Sequence, residues 1–110
     1  MALGMIEVYG FTTSMVVADK VAKSADVEIV AIDKNKPANG DSAEVPLVMV
    51  VKFEGNAGAV ESAMAAGCQE AKSRGMYITS RLIAGQSPEI EWFAHLEATG
   101  RDKLRKTDKK

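Results

Sequence analysis

L-V-M-V-V-K-F-E-G-N-A-G-A-V-E-S-A-M-A-A-G-C-Q-E-A-K-S-R-G, residues 47–75, reads as a strand followed at once by a helix. Its first residues are rich in β-branched side chains, Val48, Val50 and Val51, a composition that fits a pleated, half-buried surface. At Asn56 the character changes. The Asn56 side chain can accept from the N–H groups of a helix start, and beyond it Ala57, Val60, Met64, Cys68 and Ala71 recur at intervals of three and four residues. Lys72 and Arg74 then sit where the helix dipole favours cations, and Gly75 supplies the stop. The other helical positions include Gly58, Ala59, Ser62, Ala63, Ala65, Ala66 and Gly67, so much of this surface is small enough for a neighbour to approach closely.

The same strand-to-helix order precedes this stretch. Residues 2–9 carry Leu3, Met5, Ile6 and Val8 around Glu7 and stop at Gly10, which reads as a strand closed by a turn. Thr12 or Thr13 is expected to cap a short amphipathic helix on which Met15, Ala18, Val21 and Ala22 fall at helical spacing. Residues 27–32 alternate weakly and are β-branched, so they predict a second strand. Downstream, residues 76–83 predict a fourth strand, residues 85–88 break it, and residues 89–97 predict a terminal helix. The order β-α-β, β-α-β predicts an α+β fold, a ferredoxin-like variant (split β-α-β): a four-stranded antiparallel sheet with helices on one face, plus a short C-terminal helix. Such a sheet leaves its other face uncovered, and a small domain with an open face and small-residue surfaces favours oligomerisation into a closed ring.

The length of 110 residues suits one domain. Hydrophobic residues at 46% and charged residues at 26% exclude a disordered chain, and aromatics at only 5% suggest close backbone packing rather than a core built on rings. A net charge of −1 gives no global attraction for nucleic acid or an anionic membrane. Charge is concentrated at one end, where residues 101–110 hold Arg101, Lys103, Arg105, Lys106, Lys109 and Lys110 against Asp102 and Asp108, a net +4 that leaves −5 elsewhere. The expected organisation is a domain over 1–98 with a loop insertion at 34–45, and a basic, flexible tail over 99–110 that is either solvated or docks on an acidic partner. Residues 1–11 lack a basic leader and are interrupted by Glu7, and no stretch approaches the ~20 apolar residues of a membrane span. With a single cysteine, Cys68, a cytoplasmic location is expected.

No catalytic set is visible, and neither a metal site nor a cofactor is expected. Cys68 lies on the apolar stripe of the second helix and reads as a small buried hydrophobe. His95, beside Trp92 and Phe93, reads as a packing or surface residue rather than a ligand. G-N-A-G at 55–58 has the setting of an anion-binding helix start but lacks a phosphate-loop signature, so ordinary turn and cap chemistry is the simpler reading. The most informative segment is D-K-N-K-P-A-N-G-D-S-A-E-V-P, residues 33–46. A hairpin needs only about two to five connecting residues, and a polar connection of this length is either functional or a mobile surface loop.

Three motifs carry a resemblance: A-L-G-M-I-E at 2–7, A-K-S-A-D-V at 22–27 and G-N-A-G-A-V-E-S-A-M-A-A-G at 55–67. Together, in this order and spacing, they resemble the hexamer-forming shell proteins of bacterial microcompartments over roughly residues 2–83. The resemblance implies a structural wall subunit rather than an enzyme: a flat homohexamer that tiles with other shell proteins into a layer enclosing the enzymes of a pathway. It implies that the end of the second strand and the following loop surround a central pore, lined here by Lys34, Asn35, Lys36, Pro37, Ala38, Asn39 and Gly40, which passes small polar metabolites. The pore loop of most relatives is short and glycine-rich, whereas this one is considerably longer. Lys23 matches the family lysine on the hexamer edge, and Asp26 stands where many relatives have asparagine near that edge. The family's proline-arginine-proline after the fourth strand is replaced by Ala84, Gly85 and Gln86, so its arginine contact between hexamers is not expected. Size and element order alone equally allow a ferredoxin-like regulatory module that binds a small anionic metabolite at a subunit interface.

Overall fold

Strand alternation and helical periodicity leave each element with one apolar side, and burying those sides against one another gives a helix layer on a sheet layer. The computed structural model describes residues 1–35 and 48–95. In chain order they form β1 (Ala2–Tyr9), α1 (Phe11–Ser24), β2 (Glu28–Asn35), β3 (Val48–Gly55), α2 (Ala57–Ser73), β4 (Tyr77–Ile83), a single 3-10 turn (Pro88–Ile90) and the short helix α3 (Glu91–Ala94). One sheet contains the strands in the order β2-β3-β1-β4, antiparallel at each adjacent pair. Thus β1 and β2 run parallel with β3 between them, and β3 and β4 run parallel with β1 between them. This is the split β-α-β arrangement expected from the order of elements.

Between helices and sheet lies an apolar core of Ile6, Val8, Ile32, Met49, Val51 and Phe53 from the strands against Val17, Val21, Val60, Ala63 and Ala71 from the helices. Gly67 makes the layer this thin. A Cβ there would lie 2.6 Å from Ile6 Cδ1 and 2.7 Å from Val21 Cγ2, so only glycine lets α2 rest on β1 and α1 at once. Gly4 does the same on the sheet side, where a Cβ would meet the Phe53 ring at 2.6 Å. Asn56 caps α2 as expected, its side-chain oxygen accepting from Ala59 N–H at 2.8 Å, and Gly75 follows the helix with φ +69. Among the described residues no helix is long and apolar enough to cross a membrane.

Some local expectations are corrected. Helix α1 starts at Phe11, after Gly10, so Thr12 and Thr13 lie inside it and neither caps it. Its buried side is Ser14, Val17, Ala18 and Val21, while Met15 and Ala22 are exposed. The rotation arises because Ser14 hides its hydroxyl by donating to the Phe11 carbonyl at 2.6 Å, which lets a polar residue occupy an apolar face. On α2 the buried line is Val60, Ala63, Gly67 and Ala71; Met64 and Cys68 pack half-buried beside it, and Ala57 is exposed. Within the described residues the expected terminal helix is the 3-10 turn and the four residues of α3.

The face of the sheet opposite the helices is not wholly open either. After β4 the chain turns back across it: Gln86 N–H donates to the Met1 carbonyl at 3.0 Å, Lys52 on β3 donates to the Phe93 carbonyl at 2.7 Å, and Ala94 is fully buried. Leu3 and Ala31, which lie outside the helix-side core, are buried on this side.

Candidate functional site

β2 carries candidate residues at both ends. Its first residue follows the α1–β2 link that holds Asp26, and its last two residues are Lys34 and Asn35. Lys34 lies six steps along the strand from Glu28, so at about 3.3 Å per residue the two lie roughly 20 Å apart. Of the candidate residues, Asp26 therefore precedes one end of β2, and Lys34 and Asn35 stand at the other.

At its C-terminal end β2 runs further than residues 27–32. Lys34 and Asn35 still pair with Met49 and Val48 of β3, so they are strand residues rather than loop residues. Lys34 is exposed, and its N–H donates to Asp33 Oδ1 at 2.8 Å. Lys36, Pro37, Ala38, Asn39 and Gly40 lie outside the described residues. Ahead of β2, Lys23 in the last turn of α1 is exposed and pairs with Asp19 Oδ2 at 2.9 Å, and Asp26 is exposed just beyond.

A second group of side chains escaped the reading of the sequence. Lys52, in the middle of β3, is 1% exposed. Its ammonium donates to the Phe93 carbonyl, lies 3.5 Å from Asp33 Oδ2 and sits 4.0 Å from the centroid of the Phe93 ring. Two residues on, Glu54 is buried and accepts from Gln86 Nε2, with His95 Nε2 at 3.5 Å from its other oxygen. Gln86 occupies the stretch where the resemblance leads one to expect the family arginine, and here it is turned inward onto Met1 and Glu54. The signal available in the sequence was a lysine and a glutamate placed two apart within V-M-V-V-K-F-E, on the strand face that a helix layer does not cover.

The arrangement offers little for bond-making chemistry. Among the described residues no group of three or more His, Cys, Asp and Glu could hold a metal ion. Cys68 packs against the apolar core. The start of α2 is occupied by its own cap, since Ala59 N–H goes to the Asn56 side chain and Val60 N–H to the Asn56 carbonyl. Turn and cap chemistry therefore accounts for G-N-A-G. A recess of about 250 Å³ lined by Met1, Glu54, Gln86, Ser87 and Pro88 presents a carboxylate, which opposes an anion.

The comparisons with known proteins agree with this picture. The family model described as BMC domain matches residues 2–86. Among solved structures, a microcompartment protein from Desulfitobacterium hafniense DCB is 30% identical with a TM-score of 0.67. The match covers 82% of this chain and 46% of that one, so this chain spans less than half the length of that protein. Among curated proteins nothing matches. The three motifs, the split sheet and a family model extending over β1 to the start of the C-terminal segment lead to one conclusion: the chain belongs to the BMC-domain family of bacterial microcompartment shell proteins.

Proposed function

We propose that the chain is a non-catalytic wall subunit that forms cyclic homohexamers, tiles with other shell proteins in the cytoplasm around encapsulated enzymes, and carries a pore for small polar metabolites. The observation that carries this reading is the BMC-domain match over residues 2–86. The shape supports it: the body measures 37 × 32 × 20 Å, a flat tile, with Lys34 and Asn35 at the end of β2 remote from Asp26. Phe11 and Met15, one turn apart on α1, are 47% and 46% exposed and offer apolar surface for a neighbouring subunit.

In this reading the shell domain comprises residues 1–98, its pore insertion starts after β2 rather than at Lys34 and runs to 45, and 99–110 is a basic tail. At a six-fold axis each residue is present six times, so a modest choice of side chain becomes a ring of charge or donors. Lys34, Asn35, Lys36, Pro37, Ala38, Asn39 and Gly40 line that axis, and Lys23 and Asp26 lie at the edge. Within residues 33–44, Lys34 and Lys36 stand against Asp33, Asp41 and Glu44, a net −1 per subunit with both signs present, so ring geometry rather than net charge decides what passes. Negative-stain images of the purified protein test the wall: six-fold sheets or tubes are expected, and a discrete small oligomer would favour the regulatory module instead. Deleting residues 36–43 tests the pore. Unchanged pore dimensions and unchanged metabolite leakage from assembled shells would remove the assignment.

A further inference from the structure

Lys52 is the one lysine buried among the described residues, and its surroundings are specific. Burying an ammonium costs several kcal/mol of solvation unless close partners compensate, and an apolar side chain of the same length would fill the space without that cost. What the ammonium adds is direction. Its N–H donors reach the Phe93 carbonyl at 2.7 Å while the Asp33 carboxylate lies at 3.5 Å, so one buried charge bridges two segments that are distant in sequence. The first is the C-terminal segment, residues 86–95, laid across the sheet face that α1 and α2 leave bare. The second is the end of β2, where Asp33 Oδ1 accepts the Lys34 N–H at 2.8 Å. Asp33 thus joins Lys52 through one oxygen and the Lys34 backbone through the other.

The C-terminal segment is held at a second point, where Gln86 bonds to the Met1 carbonyl and Glu54 meets both Gln86 and His95. Between the two points Ala94 is fully buried. Among the described residues the segment is therefore a strap fixed at two polar anchors, of which the Lys52 anchor is shared with β2.

We propose that Lys52 is a positioning residue that couples the C-terminal strap to the end of β2. Lifting or seating the strap shifts the Lys52 ammonium, and Asp33 carries that shift to the backbone of Lys34. The consequence for transport rests on the pore reading given above, since Lys34 then stands at the pore rim and a partner that displaces the strap from one face of the wall alters that rim. The coupling itself is a property of the folded chain and is tested apart from assembly.

The test is hydrogen exchange on the full chain, resolved by residue and made under conditions where the protein is dispersed. Ala94→Gln forces a longer side chain into a fully buried position of the strap and leaves β2 and β3 unaltered. Faster exchange is expected in residues 86–95 and, by tenfold or more, at Lys34 N–H, with β4 unchanged. Lys52→Met, which keeps length and removes the charge, should accelerate Lys34 exchange similarly and abolish any further effect of Ala94→Gln there. Acceleration confined to residues 86–95, or a uniform acceleration in all four strands, overturns the proposal. If Lys52→Met fails to fold, Ala94→Gln decides alone. Images of assembled protein test the wall separately, so failure of one reading is distinguishable from failure of the other.

Discussion

The two faces of the sheet are covered by different physics. Against α1 and α2 the contact is apolar apart from the self-satisfied Ser14, built largely from β-branched residues, alanines and a glycine whose missing Cβ brings the layers together. Against the C-terminal segment the apolar contact of Leu3, Ala31 and Ala94 is joined by directional polar links, Lys52 to the Phe93 carbonyl and Asp33, and Glu54 to Gln86 with His95 beside it. Apolar burial scales with area and tolerates small rearrangement. A buried charge fails abruptly when a partner is lost, because the remaining group keeps its desolvation penalty. The helix side is therefore expected to be forgiving where volume is kept, and the strap side brittle.

The strongest way to break this contrast is Lys52→Ala. Removing one member of a buried pair costs about 3 to 5 kcal/mol, which in a domain of this size lowers Tm by more than about 10 °C. Replacing both members, as in Lys52→Met with Asp33→Leu, should recover most of that loss, since apolar substitutes of similar volume often equal a buried pair. Urea midpoints of Lys52→Met, Asp33→Leu and the double give the coupling energy. Additive losses would mean that the strap side is held by area after all.

On the helix side the corresponding test is Gly67→Ala. The added methyl meets Ile6 and Val21 well inside contact distance, and overpacking of this kind costs about 1 to 3 kcal/mol. Better helix propensity returns up to about 1 kcal/mol, so a net loss of roughly 1 to 2 kcal/mol is expected in the same denaturation experiment. A neutral outcome would show that α2 can slide, making this face softer than its glycine suggests. Asn56→Ala sharpens the comparison from outside both faces. It removes the exposed cap at the start of α2 and should cost about 1 kcal/mol, read as a lower urea midpoint with fraying of the first helical turn in hydrogen exchange.

What could be read from the sequence divides along the same line. The helix-facing side was legible because its signals are local: the strand-to-helix switch at Asn56, the stop at Gly75 and the small-residue helix between them. Even the weak alternation of the second strand has a cause, since the register shifts between Ile29 and Ala31, and the extra residue puts Val27, Ile29 and Ile32 all toward the helices. Ser14 misled the reading of α1 because a serine that satisfies itself on the preceding turn looks polar in sequence and behaves as filler in the core. The strap side was illegible because its partners lie far apart. Lys52 and Phe93 are 41 residues apart and Glu54 and Gln86 32 apart, and no period or motif announces either meeting. For the candidate site, the family motifs marked Lys23 and Asp26 as edge candidates, but not the ion pair that Lys23 forms with Asp19.

That ion pair gives the smallest expected effect on stability and the sharpest separation of folding from assembly. Lys23 and Asp19 are 73% and 61% exposed at positions one turn apart, and such pairs contribute no more than about 0.5 kcal/mol, screened further by salt. Lys23→Ala should therefore leave the urea midpoint within error of the parent. If Lys23 lies at the edge between hexamers, the same change should nonetheless reduce sheet growth severalfold by light scattering, because each contact is repeated around the tile. Asp19→Ala works in the opposite sense: it releases the Lys23 ammonium from its own helix and should promote growth at low salt, with the difference fading as salt screens the freed charge. Unchanged growth in both variants would move the tiling contact away from this end of α1 and leave Lys23 as an ordinary solvated helix residue.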